Sequence, residues 1–264
     1  MWQHHALDSM DQITLTAVRG IPLIRPGDDL TGIMLAMLKH NGIALRSGDV
    51  LAFTSKIVSK AEGRFVKLAE VIPTARAHWV AAQCHKDPRL VQVILDESES
   101  VSRVRPGLLI VRHRLGFVCA NAGVDCSNVS ADNPAAETVL LLPADPDASA
   151  GYLRQQIEDA ERVHIGVVIV DSHGRPHRMG AVGVAVGAAG VPALQDWRGK
   201  PDLFGHPLAS TKVGLADEIA SAASLLFGQA AEGLPVVLVR GVPFELHEGC
   251  AGELVRPREL DLFQ

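Results

Sequence analysis

Apolar residues are spaced along this chain in two ways, and each spacing predicts a different element. Short apolar runs predict strands at Ile13–Val18, Asp49–Thr54, Val101–Arg105, Leu108–Arg114, Phe117–Ala120, His164–Val170, Ala181–Gly190 and Leu234–Arg240. Apolar residues three or four apart predict helices from a cap at Asp28 or Asp29 to Lys39, and at Pro73–His85, Pro88–Asp96, Ser149–Arg162 and Thr211–Phe227. Because strands and helices are mixed without regular alternation, we predict an α+β fold with mixed or antiparallel sheets and packed helices.

Composition narrows the class of protein. The 264 residues are 47% hydrophobic and 21% charged, which is enough apolar side chain for a sizeable core. A net charge of -5 and a single Tyr argue against a nucleic-acid-binding surface. The longest apolar stretch, Val182–Leu194, is broken by glycines and a proline and is too short to span a bilayer. The opening MWQHHALDSMDQ has no signal-peptide pattern, so we expect a soluble cytoplasmic protein without nucleic-acid or membrane partners.

The first polar segment follows the predicted strand Asp49–Thr54 directly. Its sequence, TSKIVSKAEGR, offers three cations and three hydroxyl groups within eleven residues. Such donors at the carboxyl end of a strand are well placed to hold phosphate oxygens. A solvated turn with an exposed run of charge is the alternative.

The second polar segment, NAGVDCSNV, places a carboxylate and two carboxamides around a glycine. Asp125 is a candidate oxygen ligand for magnesium or manganese, and Asn128 is a candidate contact for a nucleotide oxygen or base edge. An Asx-turn, in which these side chains bond their own backbone, explains the same residues.

The third polar segment, VDSHGRPHRMG, begins at the end of a buried predicted strand. Asp171 and Ser172 are candidate cation ligands, and Arg175 or Arg178 is a candidate contact for an anion. An ordinary hairpin turn with charged flanks is the alternative here.

Three further features have simpler structural explanations. The glycines of the loop 227–234 are sufficient to end the apolar helix before it. Asp217 and Glu218 are candidates for a paired-carboxylate site, but a polar stripe on that otherwise apolar helix explains them as well. Gly and Pro between His173 and His177 argue against the helix that would align these two residues as a metal pair.

Two absent motifs limit the chemistry. The sequence contains neither a G-x-x-x-x-G-K-[ST] phosphate loop nor a G-x-S-x-G nucleophile elbow. A site with several cations, few carboxylates and no evident nucleophile suits phosphoryl transfer, in which positioning and charge neutralisation do most of the catalysis.

Read in order, these segments resemble the coenzyme F420:L-glutamate ligase family, which includes CofE and the amino-terminal part of FbiB. The matching stretches are GIPLIRPGDDL, GDVLAFTSKIVSKAEGR, FVCANAGVDCSNV, LLPADPDASA, VVIVDSHGRPHRMG and KVGLADEIASAASLLFGQAAEGLP. The resemblance implies one family domain over residues 1–264, with two structural lobes as an alternative. It also implies the family's own α+β fold without a P-loop, and a homodimer.

The activity that the resemblance implies is GTP-dependent ligation of L-glutamate to coenzyme F420-0. A phosphoryl group passes from GTP to the F420-0 carboxylate, and the glutamate amine attacks the acyl phosphate. Two Mg²⁺ or Mn²⁺ sites are implied, while the involvement of potassium and the addition of further γ-linked glutamates stay open. A non-catalytic GTP- or metal-binding module and a metal-dependent phosphohydrolase are the alternatives.

Carried onto this chain, the family's site residues form three sets. The nucleotide contacts fall on Ile21, Pro22, Leu23, Ile24, Ser55, Lys56, Lys60, Asn128, Phe227, Gly228, Gln229, Ala230, Ala231, Glu232, Gly233 and Leu234. The metal ligands fall on Asp125, Asp171, Ser172 and Gln229, the last with a neutral oxygen where some relatives carry Glu. In catalysis, Asp125 and Asp171 anchor the cations that bridge the phosphates, and Lys60 helps to neutralise the phosphate charge.

Overall fold

The computed structural model of this chain describes residues 12–129 and 137–261. The opening residues, for which the sequence predicts no signal peptide, lie outside the described ranges up to residue 11. The strands are β1 (Thr14–Ala17), β2 (Val50–Thr54), β3 (Phe65–Lys67), β4 (Ser98–Arg105), β5 (Leu108–His113), β6 (Val118–Ala120), β7 (Thr138–Leu140), β8 (Gly166–Gly174), β9 (Ala181–Ala189), β10 (Gln195–Asp196), β11 (Lys212–Val213) and β12 (Val236–Arg240). The helices are α1 (Leu30–His40), α2 (Ser55–Ala61), α3 (Ala75–Cys84), α4 (Pro88–Asp96), α5 (Pro146–Glu161) and α6 (Leu215–Phe227).

The largest sheet is mixed and has the strand order β1-β12-β2-β8-β9. Strands β2 and β8 are parallel, whereas every other neighbouring pair in this sheet is antiparallel. Smaller sheets pair β3 with β7, β10 with β11, and β4 and β6 with β5. Helices and strands therefore combine as α+β with mixed and antiparallel sheets, which confirms the predicted fold class.

The central strands are apolar throughout because the large sheet is covered on both faces. Along β2, Leu51 and Phe53 belong to one core cluster, whereas Val50 and Ala52 belong to another. This alternation follows from the pleat of a strand, which sends successive side chains to opposite faces. Helices α1 and α5 cover the first face and α6 covers the second.

A third core cluster lies outside the large sheet. Helices α3 and α4 pack there against β5 and β7, around Ile94, Leu109 and Val111. The segments that build it lie between α2 and α5 in the chain. The division of residues 1–264 into one domain or two lobes stays a prediction.

Several predicted boundaries were wrong, including the start of β4, which begins at Ser98 and not at Val101. Helix α5 begins at Pro146 and not at Ser149, because Asp145 accepts the backbone N–H of Ala148 at 3.0 Å and proline suits the first helical turn. Helix α6 begins at Leu215, since the residues just before it pair as β11 with β10. Strand β8 continues past Asp171 to Gly174, because β9 pairs with it along that length. The segment after β2, for which a solvated turn was the alternative, forms helix α2.

Membrane-crossing helices are not found in the described part of the chain. Each helix between residues 12 and 129 or between 137 and 261 is too short or too polar to cross a bilayer.

Candidate functional site

The register between the two parallel strands creates the centre of the site. Thr54, the last residue of β2, is the register partner of Val170 in β8. The next residues, Ser55 and Asp171, are therefore neighbours, and the Ser55 hydroxyl donates to Asp171 Oδ1 at 3.0 Å. Carboxyl ends of neighbouring parallel strands are a common position for ligand sites.

Helix α2 directs two lysines from this centre toward one loop. Lys56 and Lys60 are one helical turn apart and lie on the same face. Lys56 Nζ lies 2.6 Å from Asp125 Oδ2 and donates to the Ser127 carbonyl at 2.8 Å. Lys60 Nζ donates to the Asn128 carbonyl at 2.7 Å. Residues predicted from two separate segments are thus in direct contact.

The lysine pair favours an anionic ligand. Burial lowers the pKa of Lys60, the nearby charge of Lys56 lowers it further, and Asp125 partly offsets both effects. An anion beside the two ammonium groups would stabilise their charged forms.

A small polar cavity lies where these elements meet. Its lining includes Ser55, Lys56, Ser59, Asp125 and Asp171. The Ser59 side chain is buried, and its hydroxyl oxygen has no hydrogen-bond partner among the described residues. Because a buried hydroxyl group without a partner is costly, this polar cavity is suited to a polar ligand or water. Asp125 and Asp171, predicted as the two metal-anchoring carboxylates, both line it.

Asp125 uses its two carboxylate oxygens differently. Oδ1 accepts both the backbone N–H and the hydroxyl of Ser127 at 2.8 Å, so the predicted alternative of an Asx-turn is also present. Oδ2 faces Lys56. The same loop holds Asn121, Ala122 and Asn128 at φ +53°, a left-handed conformation that costs a residue with a side chain roughly 1 kcal/mol or more. Strain of this kind often accompanies a functional loop.

Strand β8 divides the predicted ligands between its two faces. Alternation along the strand places Asp171 and His173 on one face and Ser172 on the other. Asp171 Oδ2 lies 2.9 Å from His173 Nε2. The Ser172 hydroxyl donates instead to the Gln229 side-chain oxygen at 3.2 Å. The predicted metal set therefore forms two groups, Asp125 with Asp171 at the polar cavity, and Ser172 with Gln229. The alternative of a hairpin with charged flanks is also correct, since β8 and β9 form one.

The loop 227–234 joins the same region through its backbone and side chains. Gly228, with φ +72°, ends α6 as the predicted glycine cap. The Asn128 amide donates to the Ala230 carbonyl at 2.9 Å, which ties this loop to the Asp125 loop. The backbone N–H of Ala230 donates to Glu232, and such backbone donors lower the pKa of that carboxyl group.

The predicted nucleotide segment 21–24 lies apart from these contacts. Ile24 is buried in the first core cluster, whereas the Leu23 side chain is 79% exposed. Nearby, the Gly27 N–H donates to the Ala61 carbonyl, so the chain passes beside the end of α2. Among the described residues, no hydrogen bond joins this segment to the polar cavity.

The donor set fits a hard divalent cation that is shared with a ligand. Within residues 12–129 and 137–261, no group of three His, Cys, Asp or Glu side chains could hold a metal alone. Two carboxylates and the hydroxyl groups of Ser55 and Ser59 line the polar cavity, which leaves most coordination positions of a cation to water or to a ligand. Mg²⁺ is commonly held in this way.

His173 and Ser59 are site residues that the sequence analysis considered only as members of a pair or segment and did not select individually. The period-two pattern of a strand extending beyond Asp171 would have placed His173 on the same face as that aspartate. A helical assignment for Ser55–Ala61 would have placed Ser59 one turn after Ser55, on the same side of the helix.

Comparison with known proteins identifies the family. The model of the family described as F420-0:Gamma-glutamyl ligase matches residues 20–241. A protein named Coenzyme F420:L-glutamate ligase from Methanothermobacter thermautotrophicus is 44% identical over 254 residues, covering 96% of this chain and 99% of the relative. Relatives of the same name from Methanopyrus kandleri and Archaeoglobus fulgidus are 46% and 42% identical, covering 94% and 96% of this chain and 97% of each relative. This chain therefore belongs to the F420-0:gamma-glutamyl ligase family.

Proposed function

We propose that this protein is a ligase that joins L-glutamate to coenzyme F420-0 and uses GTP to activate the carboxylate. Membership of the family and the names of the relatives support the ligation and both substrates. The observation that carries the nucleotide part is the convergence of Lys56, Asp125 and Asp171 on the polar cavity, with Lys60 one helical turn from Lys56 and bonded to the loop of Asp125.

Each residue of the site has a role in this proposal. Lys56 and Lys60 neutralise the phosphate charge, for which their side-by-side position is suited. Asp125 and Asp171 would hold one divalent cation at the polar cavity, and Ser172 with Gln229 would offer oxygen ligands to a second. When bound, Mg²⁺ or Mn²⁺ supplies charge stabilisation to the phosphoryl group. The buried Ser59 hydroxyl is available to donate to a phosphate oxygen or a water.

The adjacent loops are suited to the rest of the nucleotide. Asn128 and the loop 227–234 are joined by the amide of Asn128, so a ligand that contacts one meets the other. The segment 21–24 also belongs to the proposed nucleotide contacts, on the strength of the family resemblance.

The proposed reaction has two balanced steps. A carboxylate oxygen of F420-0 attacks the γ-phosphorus of GTP, the bond from that phosphorus to the bridging oxygen breaks, and GDP leaves. The glutamate nitrogen then attacks the acyl carbon, the bond from carbon to the phosphate oxygen breaks, and phosphate leaves. Before this attack the ammonium group gives one proton to solvent, and the nitrogen gives a second proton to solvent or to the departing phosphate as the amide forms. Activation is needed because a free carboxylate is a poor electrophile.

Several finer features stay predictions. They are the addition of further γ-linked glutamates, the use of potassium, the homodimer and the cytoplasmic location.

Product analysis with a matched pair of variants tests the proposal. The chain is incubated with F420-0, L-glutamate, GTP and Mn²⁺, and the products are weighed by mass spectrometry. We expect glutamylated F420 and an equal amount of GDP. Asp171→Asn should keep the fold and lower turnover by at least about 100-fold, since electrostatic groups at the reacting centre contribute that much. Asp159→Asn, which changes an exposed aspartate on α5, should keep full turnover.

The same assay separates the alternatives. A nucleotide-binding module would bind GTP without releasing GDP, and a phosphohydrolase would release GDP without glutamate. Undiminished turnover by Asp171→Asn would refute the assignment of this aspartate.

A further inference from the structure

A second cavity has a volume of 190 Å³ and includes His173 in its lining. His173 Nε2 lies 2.9 Å from Asp171 Oδ2, and Asp171 lines the polar cavity. One side-chain contact therefore separates the two cavities. A small molecule in the second cavity would lie next to the proposed phosphoryl-transfer site.

The size of the second cavity limits what it can hold. Pockets for drug-sized ligands measure about 300–1,000 Å³. At 190 Å³, the second cavity lies below that range and suits a ligand of about amino-acid size.

The walls of the second cavity are largely apolar. They include Leu115, Phe117, Val184, Val186 and Leu254. Phe117 packs against the His173 ring, with the two ring centroids 5.2 Å apart. Such walls suit the methylene groups of an aliphatic ligand.

Two of the three carboxylates in the wall, those of Asp145 and Asp217, have an oxygen that receives no hydrogen bond from the described residues. Asp145 is exposed and caps helix α5 through its other oxygen, whereas Asp217 is half-buried. Asp147 accepts the backbone N–H groups of Ala188 at 2.8 Å and Ala251 at 2.7 Å. Asp217 Oδ1 accepts one backbone N–H at 2.9 Å, whereas its Oδ2 receives no hydrogen bond from the described residues. Neither lysine nor arginine is among the described lining residues, so the unused oxygen of Asp217 favours a cationic ligand group.

We propose that the second cavity receives the α-ammonium group of the amino-acid substrate, with Asp217 as its counter-ion. This inference rests on the proposed function, in which L-glutamate supplies the attacking amine. The apolar walls would contact its methylene groups. An amine held there approaches the reacting carboxyl group from the side of His173.

The environment of Asp217 agrees with this role. Burial raises the pKa of Asp217, and the Ala185 N–H and His173 offset that effect only in part. A bound ammonium group would stabilise the ionised carboxylate, as an opposite charge does.

Two neighbouring carboxylates on α6 provide a matched test. Asp217→Asn removes the charge but keeps an oxygen to accept the Ala185 N–H. Glu218→Gln changes the next residue, which is exposed and does not line the second cavity. Calorimetric titration of L-glutamate and of glutarate, which lacks the amine, into each variant measures recognition of the ammonium group directly.

We expect Asp217→Asn to lose affinity only for a ligand that carries the amine. Asp217→Asn should weaken L-glutamate binding and raise the KM for glutamate by about 10-fold or more, the usual effect of losing a hydrogen bond to a charged group. The KM for GTP and the weak binding of glutarate should change by less than about twofold. Glu218→Gln should behave as the unmodified chain.

The outcomes distinguish this inference from the proposed function. Ligation with an unchanged glutamate KM in Asp217→Asn would overturn the inference and leave the proposed function intact. If Asp217→Asn loses glutamate binding but not glutarate binding, and the unmodified chain makes no product, the inference stands and the proposed function fails. If thermal melting shows that Asp217→Asn is unfolded, Val184→Phe serves instead, because a larger side chain at this wall position should exclude glutamate. Undiminished glutamate binding by a folded Val184→Phe would also refute the inference.

Discussion

Acidification should destabilise this protein through one buried histidine. His113 is 0% exposed, and its Nδ1 accepts the backbone N–H of Leu115 at 3.0 Å. A nitrogen that accepts a hydrogen bond carries no proton, so the buried ring is the neutral tautomer with its hydrogen on Nε2. Phe117 stacks on this ring with centroids 5.1 Å apart. Protonation of Nδ1 would place a second N–H group directly opposite the Leu115 N–H, in a site closed to water.

The size of the effect follows from the pKa of His113. Burial lowers this pKa from 6.5 to about 4; the charge of Glu97 opposes the shift and that of Arg114 adds to it. Glu97 is 3.8 Å from Nε2, too far for a hydrogen bond. At about 1.4 kcal/mol per pH unit, the difference between the pKa of His113 in the unfolded and folded chain contributes about 3 kcal/mol of unfolding free energy.

The sign is set by proton uptake on unfolding. Between about pH 6.5 and about pH 4 the unfolded chain binds more protons at this histidine than the folded chain. The stabilisation is therefore complete above about pH 6.5 and is lost as the pH falls to about 4.

Urea unfolding of a variant pair isolates the contribution of His113. His113→Asn keeps an oxygen that can accept the Leu115 N–H but does not titrate, and His78→Asn changes an exposed histidine on α3. From about pH 7 to about pH 4, the stability advantage of the unmodified chain over His113→Asn should shrink by about 3 kcal/mol. The His78→Asn curve should run parallel to the unmodified one. Parallel curves for His113→Asn as well would refute the reasoning.

Two further predictions concern stability. Arg240→Met removes the bidentate partner of the Asp49 carboxylate, whose side chain is 2% exposed. We expect the unfolding free energy measured in thermal melts to fall by about 3 kcal/mol or more. An unchanged melting temperature would contradict this. Gly187→Ala places a Cβ 2.3 Å from the Pro146 carbonyl oxygen and should cost about 1–3 kcal/mol, whereas Gly151→Ala, with open space around it on α5, should stabilise by about 0.5–1 kcal/mol. Equal effects of the two alanines would show that the approach of β9 to α5 is not tight.

The fold could be predicted from the sequence where burial produces a clear pattern. Strands such as Val50–Thr54 and Val236–Arg240 are covered on both faces, and their continuous apolar runs predict them. Helix Ser55–Ala61 was missed because seven residues are too few for a periodic signal, and Thr54 makes no side-chain cap bond. Strand β8 was predicted too short because its end is polar where the site begins.

The candidate site was predictable as a set of segments but not as a set of contacts. The charge and glycine patterns around Lys56, Asp125 and Asp171 identify polar loops at strand ends. The pairing of Lys56 with Asp125 joins residues far apart in sequence, and it depends on packing that no local pattern records. The second cavity at His173 is likewise formed by segments from six parts of the chain.

The chemistry of the site depends on one strand register. Because Thr54 pairs with Val170, the side chain that meets Ser55 is Asp171. A slip of one residue between β2 and β8 would bring Ser172 to that position and turn the carboxylate to the other face of the sheet. The slip is opposed by the core, since it would also exchange the two sets of apolar side chains that alternate along β8. Packing of the apolar half of β8 therefore determines which side chain its polar half presents to the polar cavity.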